Sequence, residues 1–110
     1  MQISKQVLID VSADASNSSG VQTDGLLLSG IVFPAAMTGA NVTFDFSYDG
    51  TNWKDVVETD NTEVTYVVSP DNVVRVDPSG WAFATAGFLR VTSDGTEAAD
   101  RQINLIFKSS

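Results

Sequence analysis

The feature that most constrains this chain is the period of its apolar residues, which is two almost throughout. Val42, Phe44, Phe46 and Tyr48 alternate with Thr43, Asp45 and Ser47, the pattern of a strand with one face in a core and the other in water. Asp49-Gly50 then supplies a turn dipeptide, and Trp53 to Val57 opens the returning strand. The same grammar recurs near the C-terminus, where Phe88-Leu89-Arg90-Val91 leads into Asp94-Gly95 and Ile103, Leu105 and Phe107 alternate on the way out. Val7-Leu8-Ile9-Asp10-Val11, Glu63 to Val68 and Val73-Val74-Arg75-Val76 read as further strands, the last ended by Asp77-Pro78. Leu26-Leu27-Leu28 and Ile31-Val32-Phe33 bracket Ser29-Gly30, which reads as a buried strand with a bulge or close approach at the glycine. No window repeats its apolar residues at helical spacing. Ala35 to Ala40 and Trp81 to Ala86 are each expected to form at most one helical turn, bracketed by Pro34 and Gly39 and by Gly80 and Gly87.

About eight short strands, with turn signals roughly every 8–12 residues, predict an all-β fold. The 110 residues suffice for one domain. The expectation is therefore a single-domain antiparallel β-sandwich over residues 1–110, with jelly-roll connectivity one form that suits it. Ser12 to Thr23, centred on Ser16-Asn17-Ser18-Ser19-Gly20, is the one weakly patterned stretch. Residues 1–24 accordingly read as an N-terminal arm with a Ser-rich loop. Val7, Ile9 and Val11 would belong to a strand donated to a neighbouring subunit, with the loop as hinge.

Composition narrows the function. The chain has no histidine and no cysteine, which removes Ser-His-Asp and Cys-His catalysis, thiolate zinc sites and a histidine pH switch. Six Lys and Arg face fourteen Asp and Glu, a net charge of −8, which argues against binding a phosphate backbone. The longest apolar run, Ile31 to Met37, is broken by Pro34 and falls far short of the roughly 20 residues of a membrane span. No leader pattern is visible at Met1 to Asp10, so a soluble protein is expected, without nucleic acid, membrane or cofactor as partner.

Few residues invite chemistry. Glu58, Asp60 and Glu63 lie close enough in sequence to suggest a calcium loop, but they match no EF-hand pattern and a solvated turn explains them equally. Carboxylate pairs of the kind glycosidases use occur in any acidic β protein, and no enzyme is expected. Arg90 and Arg101 stand within apolar strands, either pointing outward or paired with a carboxylate such as Asp45 or Asp100. Trp53 and Trp81 each have two readings, closure of the core or an exposed ring that stacks on a sugar or anchors an interface. With Val7, Ile9 and Val11 they are the candidate interface residues. The run Ser47-Tyr48-Asp49-Gly50-Thr51-Asn52-Trp53 is similar to hairpins of discoidin-like and other carbohydrate-binding sandwiches.

A longer resemblance covers most of the chain. Leu28-Ser29-Gly30-Ile31-Val32-Phe33-Pro34-Ala35-Ala36-Met37-Thr38-Gly39-Ala40 forms an L-x-G-I-x-x-P-A-x-x-T-G-A run, followed by Val42-Thr43-Phe44 and Ser47-Tyr48-Asp49-Gly50. Val76-Asp77-Pro78, Phe88 to Ser93, and Ala98-Ala99-Asp100-Arg101 with Ile103-Asn104-Leu105 follow in order. From about Leu26 to Ile106 this set resembles a family of small virion structural proteins of tailed bacteriophages and prophages. The resemblance implies a β-sandwich virion component, a capsid decoration or cement protein partnered by the major capsid protein of a tailed phage. It implies no catalytic residues. Its place would be the outer surface of the capsid, after synthesis in the bacterial cytoplasm. Closed symmetric oligomers are the usual state of small β domains with free edges, and a homotrimer is the expected one. The charge of −8 would keep a crowded shell soluble and clear of the packaged genome. The alternative is a carbohydrate-binding module of a tail or fibre, which requires Trp53, Trp81, Tyr48 or Tyr66 exposed on a concave face.

Overall fold

The computed structural model describes residues 1–110, with nine strands and one short 3₁₀ helix. The strands are β1 (Gln2–Ile9), β2 (Val21–Gln22), β3 (Leu27–Val32), β4 (Asn41–Ser47), β5 (Lys54–Asp55), β6 (Thr65–Val67), β7 (Val73–Arg75), β8 (Phe88–Ser93) and β9 (Arg101–Lys108). One sheet runs β1-β9-β3-β7; the other runs β2-β8-β4-β5, with β6 also paired to β4. Every pairing is antiparallel. β5 and β6 lie end to end along the same edge of β4, so they act as one interrupted strand. The pairs then nest: β1 with β9, β2 with β8, β3 with β7, β4 with β5 and β6. That nesting is the jelly roll, an antiparallel ribbon rolled so that its two arms close a sandwich.

The period of two becomes the core. Val42 and Phe44 of β4 and Leu89 and Val91 of β8 face Ile103, Leu105 and Phe107 of β9, Val7 and Ile9 of β1, and Leu28 and Ile31 of β3. All are essentially without solvent contact, and each such side chain contributes roughly 1.5–3 kcal/mol by leaving water. In β3 the register against β9 shifts between Leu28 and Gly30. The bulge at Ser29 lets Leu28 and Ile31, three residues apart, both point inward; without it Ile31 and Phe33 would turn to solvent.

The N-terminal expectation is corrected. β1 pairs with β9 of its own chain along all eight residues, and Val7 and Ile9 are core residues rather than a donated interface. The chain's own C-terminal strand satisfies the edge that a neighbour was expected to take. The Ser-rich stretch is no hinge either. Ser18 N–H donates to the Val91 carbonyl, Val91 N–H donates to Ser18 Oγ, and Ser93 N–H donates to the Ser16 carbonyl. These residues continue the β2 edge along β8 in hydroxyl-assisted form. Ser19 then closes this side of the sandwich, donating its N–H to the Leu8 carbonyl and accepting from Leu8 N–H.

Other turns also differ from expectation. Asp94-Gly95 carries the chain from one sheet to the other, because β8 and β9 face each other across the core. Ala35 to Ala40 forms no helix. The second Ala-rich segment is a 3₁₀ helix, Pro78–Ala84, started by Asp77, which accepts from Ser79 N–H, with proline in its first turn. The Asp49-Gly50 turn is a wider loop than a two-residue hairpin. Asp49 accepts from Thr51 and Asn52 N–H, and Gly50 sits at φ +82°, which a side chain would resist. No helix is long and apolar enough to cross a membrane.

Candidate functional site

Three groups of polar or aromatic side chains could carry function. The first surrounds Glu97, whose side chain is fully buried. It accepts from Thr38 N–H and Gly39 N–H, both at 2.8 Å, from Ser93 Oγ at 2.7 Å and from Arg101 Nε at 2.8 Å. Ser93 ends β8 and Arg101 begins β9, so one carboxylate fastens both sheets and the β3–β4 link. Burial by itself would raise the Glu97 pKa, but the four donors outweigh it and hold the group at about 2. Its oxygens are fully engaged, so this is a fastening and not a reactive acid. Arg101 therefore pairs with Glu97 rather than with Asp100, which instead accepts from Val11 N–H.

The second group lies on the outer face of the other sheet. Arg90, Asp45 and Asp55 stand in one cross-strand row. Arg90 Nε donates to Asp45 Oδ2 at 2.8 Å, the expected pairing, and Thr92 Oγ1 donates to the same oxygen at 3.2 Å. A hydrogen bond with Asp45 and the facing negative charge push the Asp55 carboxyl above the usual range. Trp53 covers Arg90, whose guanidinium carbon lies 4.6 Å from the ring centroid. On its far edge the indole rests on Gly20, where a Cβ would fall 2.7 Å from the ring. Trp53 is thus neither core nor free platform; it is half-buried and caps an ion pair.

The third group is apolar. Phe44, Trp81, Phe83, Phe46 and Tyr48 make a continuous series of ring contacts, with centroids 4.9–5.7 Å apart. The series runs from the core to the surface. Phe44 and Trp81 are buried, while Phe83 is 55% exposed and Tyr48 85% exposed. Trp81 donates its indole N–H to Tyr66 Oη at 3.2 Å. Val57, Val67 and Val73 are exposed on the strands and turns of the same margin. A groove of about 310 Å³ opens here between the 56–64 hairpin and the 3₁₀ helix, with Tyr66, Trp81 and Phe83 in its wall.

The five expected interface residues are therefore dispersed. Val7, Ile9 and Trp81 belong to one buried core, a correction for each, because all three face the interior between the sheets. Val11 lies just beyond β1 and is partly exposed; Trp53 caps Arg90. Glu58, Asp60 and Glu63 do not converge, and no group of three or more acidic side chains is arranged to hold a metal ion. Asp60 instead accepts from Thr62 N–H and closes its own turn. Sequence reading passed over Glu97 and Phe83. Arg101 four residues after Glu97 was the available sign for the first; a phenylalanine amid small residues was the only sign for the second.

Polar residues in the segments that carry the phage resemblance hold the scaffold. Thr38 and Gly39 bind Glu97, Ser47 and Asp49 build their loop, Asp77 caps the 3₁₀ helix and Arg90 holds Asp45. Compared with models of known protein families and with curated proteins, the chain matches none.

Proposed function

We propose that the protein is a non-enzymatic structural component of a tailed-phage particle, a head decoration protein that binds the major capsid protein as a homotrimer on the outer surface. The observation that carries this reading is the division of side chains just described. Buried polar groups are engaged in holding the sheets, and no buried side-chain nitrogen or oxygen lacks a partner. Tyr48, Val57, Val67, Val73 and Phe83 meanwhile stand exposed along one margin, and Leu8 and Val11 on the opposite side, apolar area of the kind an adhesive surface requires. The ordered run from Leu26 to Ile106 supports the phage assignment, and the charge of −8 suits a crowded shell.

Light scattering followed by co-sedimentation with capsids of the parent phage tests it. A discrete trimer that pellets at saturable stoichiometry is the expected result; a monomer that ignores capsids overturns the reading. One observation favours a second role. The Tyr48 ring is exposed beside a shallow recess lined by Gln22, Asp24 and Thr85, which suits a sugar platform. Binding on a glycan array that Tyr48→Ala abolishes would move the assignment to a tail or fibre module.

A further inference from the structure

The groove between the 56–64 hairpin and the 3₁₀ helix has a chemistry of its own. Its walls are Val56, Val57 and Val64 together with the rings of Tyr66, Trp81 and Phe83. Glu58 and Asp77 are also among its lining residues, and no lysine or arginine is. Both carboxylates are exposed, and neither is paired with a cation in the chain. Three of the other recesses have a cation in their lining, Arg90, Arg75 or Lys54, and in the fourth, beside Tyr48, the carboxylate of Asp24 is already paired with Lys5. The Tyr66 hydroxyl senses the local field, since burial first, then the charges of Glu58 and Asp77, raise its pKa.

We propose that this groove is a receptor for a single cationic side chain, a lysine or arginine presented by a protein partner. The match is one of stem and head. A long methylene stem packs on the valines, while the terminal cation meets aromatic rings and two unneutralised carboxylates. A volume of about 310 Å³ accommodates one such side chain, and the net charge of −8 draws cations toward the surface. The inference goes beyond the particle reading and does not depend on it, because it concerns the side chain recognised and not the assembly that presents it.

The chain has two tryptophans, and Trp53 is not among the groove's lining residues, so the two indole N–H resonances report separately on this groove and on the Arg90 cap. The full-length protein is titrated with Nα-acetyl-lysine amide, Nα-acetyl-arginine amide and the neutral Nα-acetyl-norleucine amide. The cationic probes should shift the Trp81 indole and leave Trp53 in place, binding about three- to tenfold more tightly than norleucine. Glu58→Gln should weaken binding about twofold to threefold, and added salt should weaken it further. Phe83→Ala, with its fold verified by an unchanged amide spectrum away from the groove, should remove most of the shift. The proposal fails if norleucine binds as well as lysine, if Trp53 responds in place of Trp81, or if Trp81 is unmoved at roughly tens of millimolar probe. The stronger of the two cationic probes identifies the partner's residue.

Discussion

The two sides of this sandwich are built on opposite plans. On one side β1, the 10–22 stretch and the 94–101 link lock together. Ser19 bridges to Leu8, Asp100 accepts from Val11 N–H, Glu97 N–H donates to the Ala15 carbonyl, and the Glu97 carboxylate fastens both sheets. On the other side β5 and β7 are edges of two and three residues, and the gap between the sheets is filled by a 3₁₀ helix. There the rings run out to the surface and the carboxylates of Glu58 and Asp77 lack cationic partners. The closed side answers most of its polar groups internally, which fixes the fold, and exposes Leu8 and Val11 among its larger apolar side chains. The open side keeps apolar area and charge available, which is what recognition needs. The polar fastenings of the fold and the groove proposed for binding thus lie on different sides.

The severest test of that division removes part of the closed side. Deleting residues 1–12 takes away the whole of β1 with Val7 and Ile9, and the protein should fail to fold, seen as loss of cooperative thermal unfolding. A folded truncation would mean that the closed side is not the structural one. Next in size is Glu97→Gln, expected to cost about 3 kcal/mol at neutral pH in a denaturant titration, since Arg101 loses its buried counter-charge. The pH dependence follows from the depressed pKa of about 2, against an ordinary 4.5. The contribution of Glu97 is complete above roughly pH 4.5 and is lost as pH falls through about 2, so the gap between wild type and variant should close across that interval.

A pair of glycines sharpens the contrast. A Cβ at Gly39 would meet the Ser93 hydroxyl and the Gly95 backbone of the closed side, whereas one at Gly80 in the 3₁₀ helix meets nothing within 4 Å. Gly39→Ala should destabilise by about 1–3 kcal/mol and Gly80→Ala should be neutral or slightly stabilising, compared by melting temperature. The smallest effect concerns Asp55→Asn on β5. Asp55 has a raised pKa, so it favours the folded state while protonated and loses that advantage as pH rises through its titration. The variant should gain less than about 1 kcal/mol at neutral pH and nothing below the carboxylate range.

Much of the scaffold could be read without coordinates. Alternation along Val42 to Tyr48 and Ile103 to Phe107 specifies which faces are buried, because a strand has only two faces and water selects between them. Ser29-Gly30 announced its bulge, and Arg90 with Asp45 was within reach as a pair, because a strand's outer face offers few partners. Other outcomes depend on which strands meet. Nothing local says that Asp94-Gly95 crosses between sheets, that β1 pairs in its own chain, or that Glu97 receives donors from residues 38, 39, 93 and 101. The candidate groove is of the same kind. Its valines, rings and carboxylates come from separate segments between residues 56 and 83. Periodicity encodes burial one strand at a time, whereas a groove is a relation between segments, and only the rolled ribbon brings those segments together.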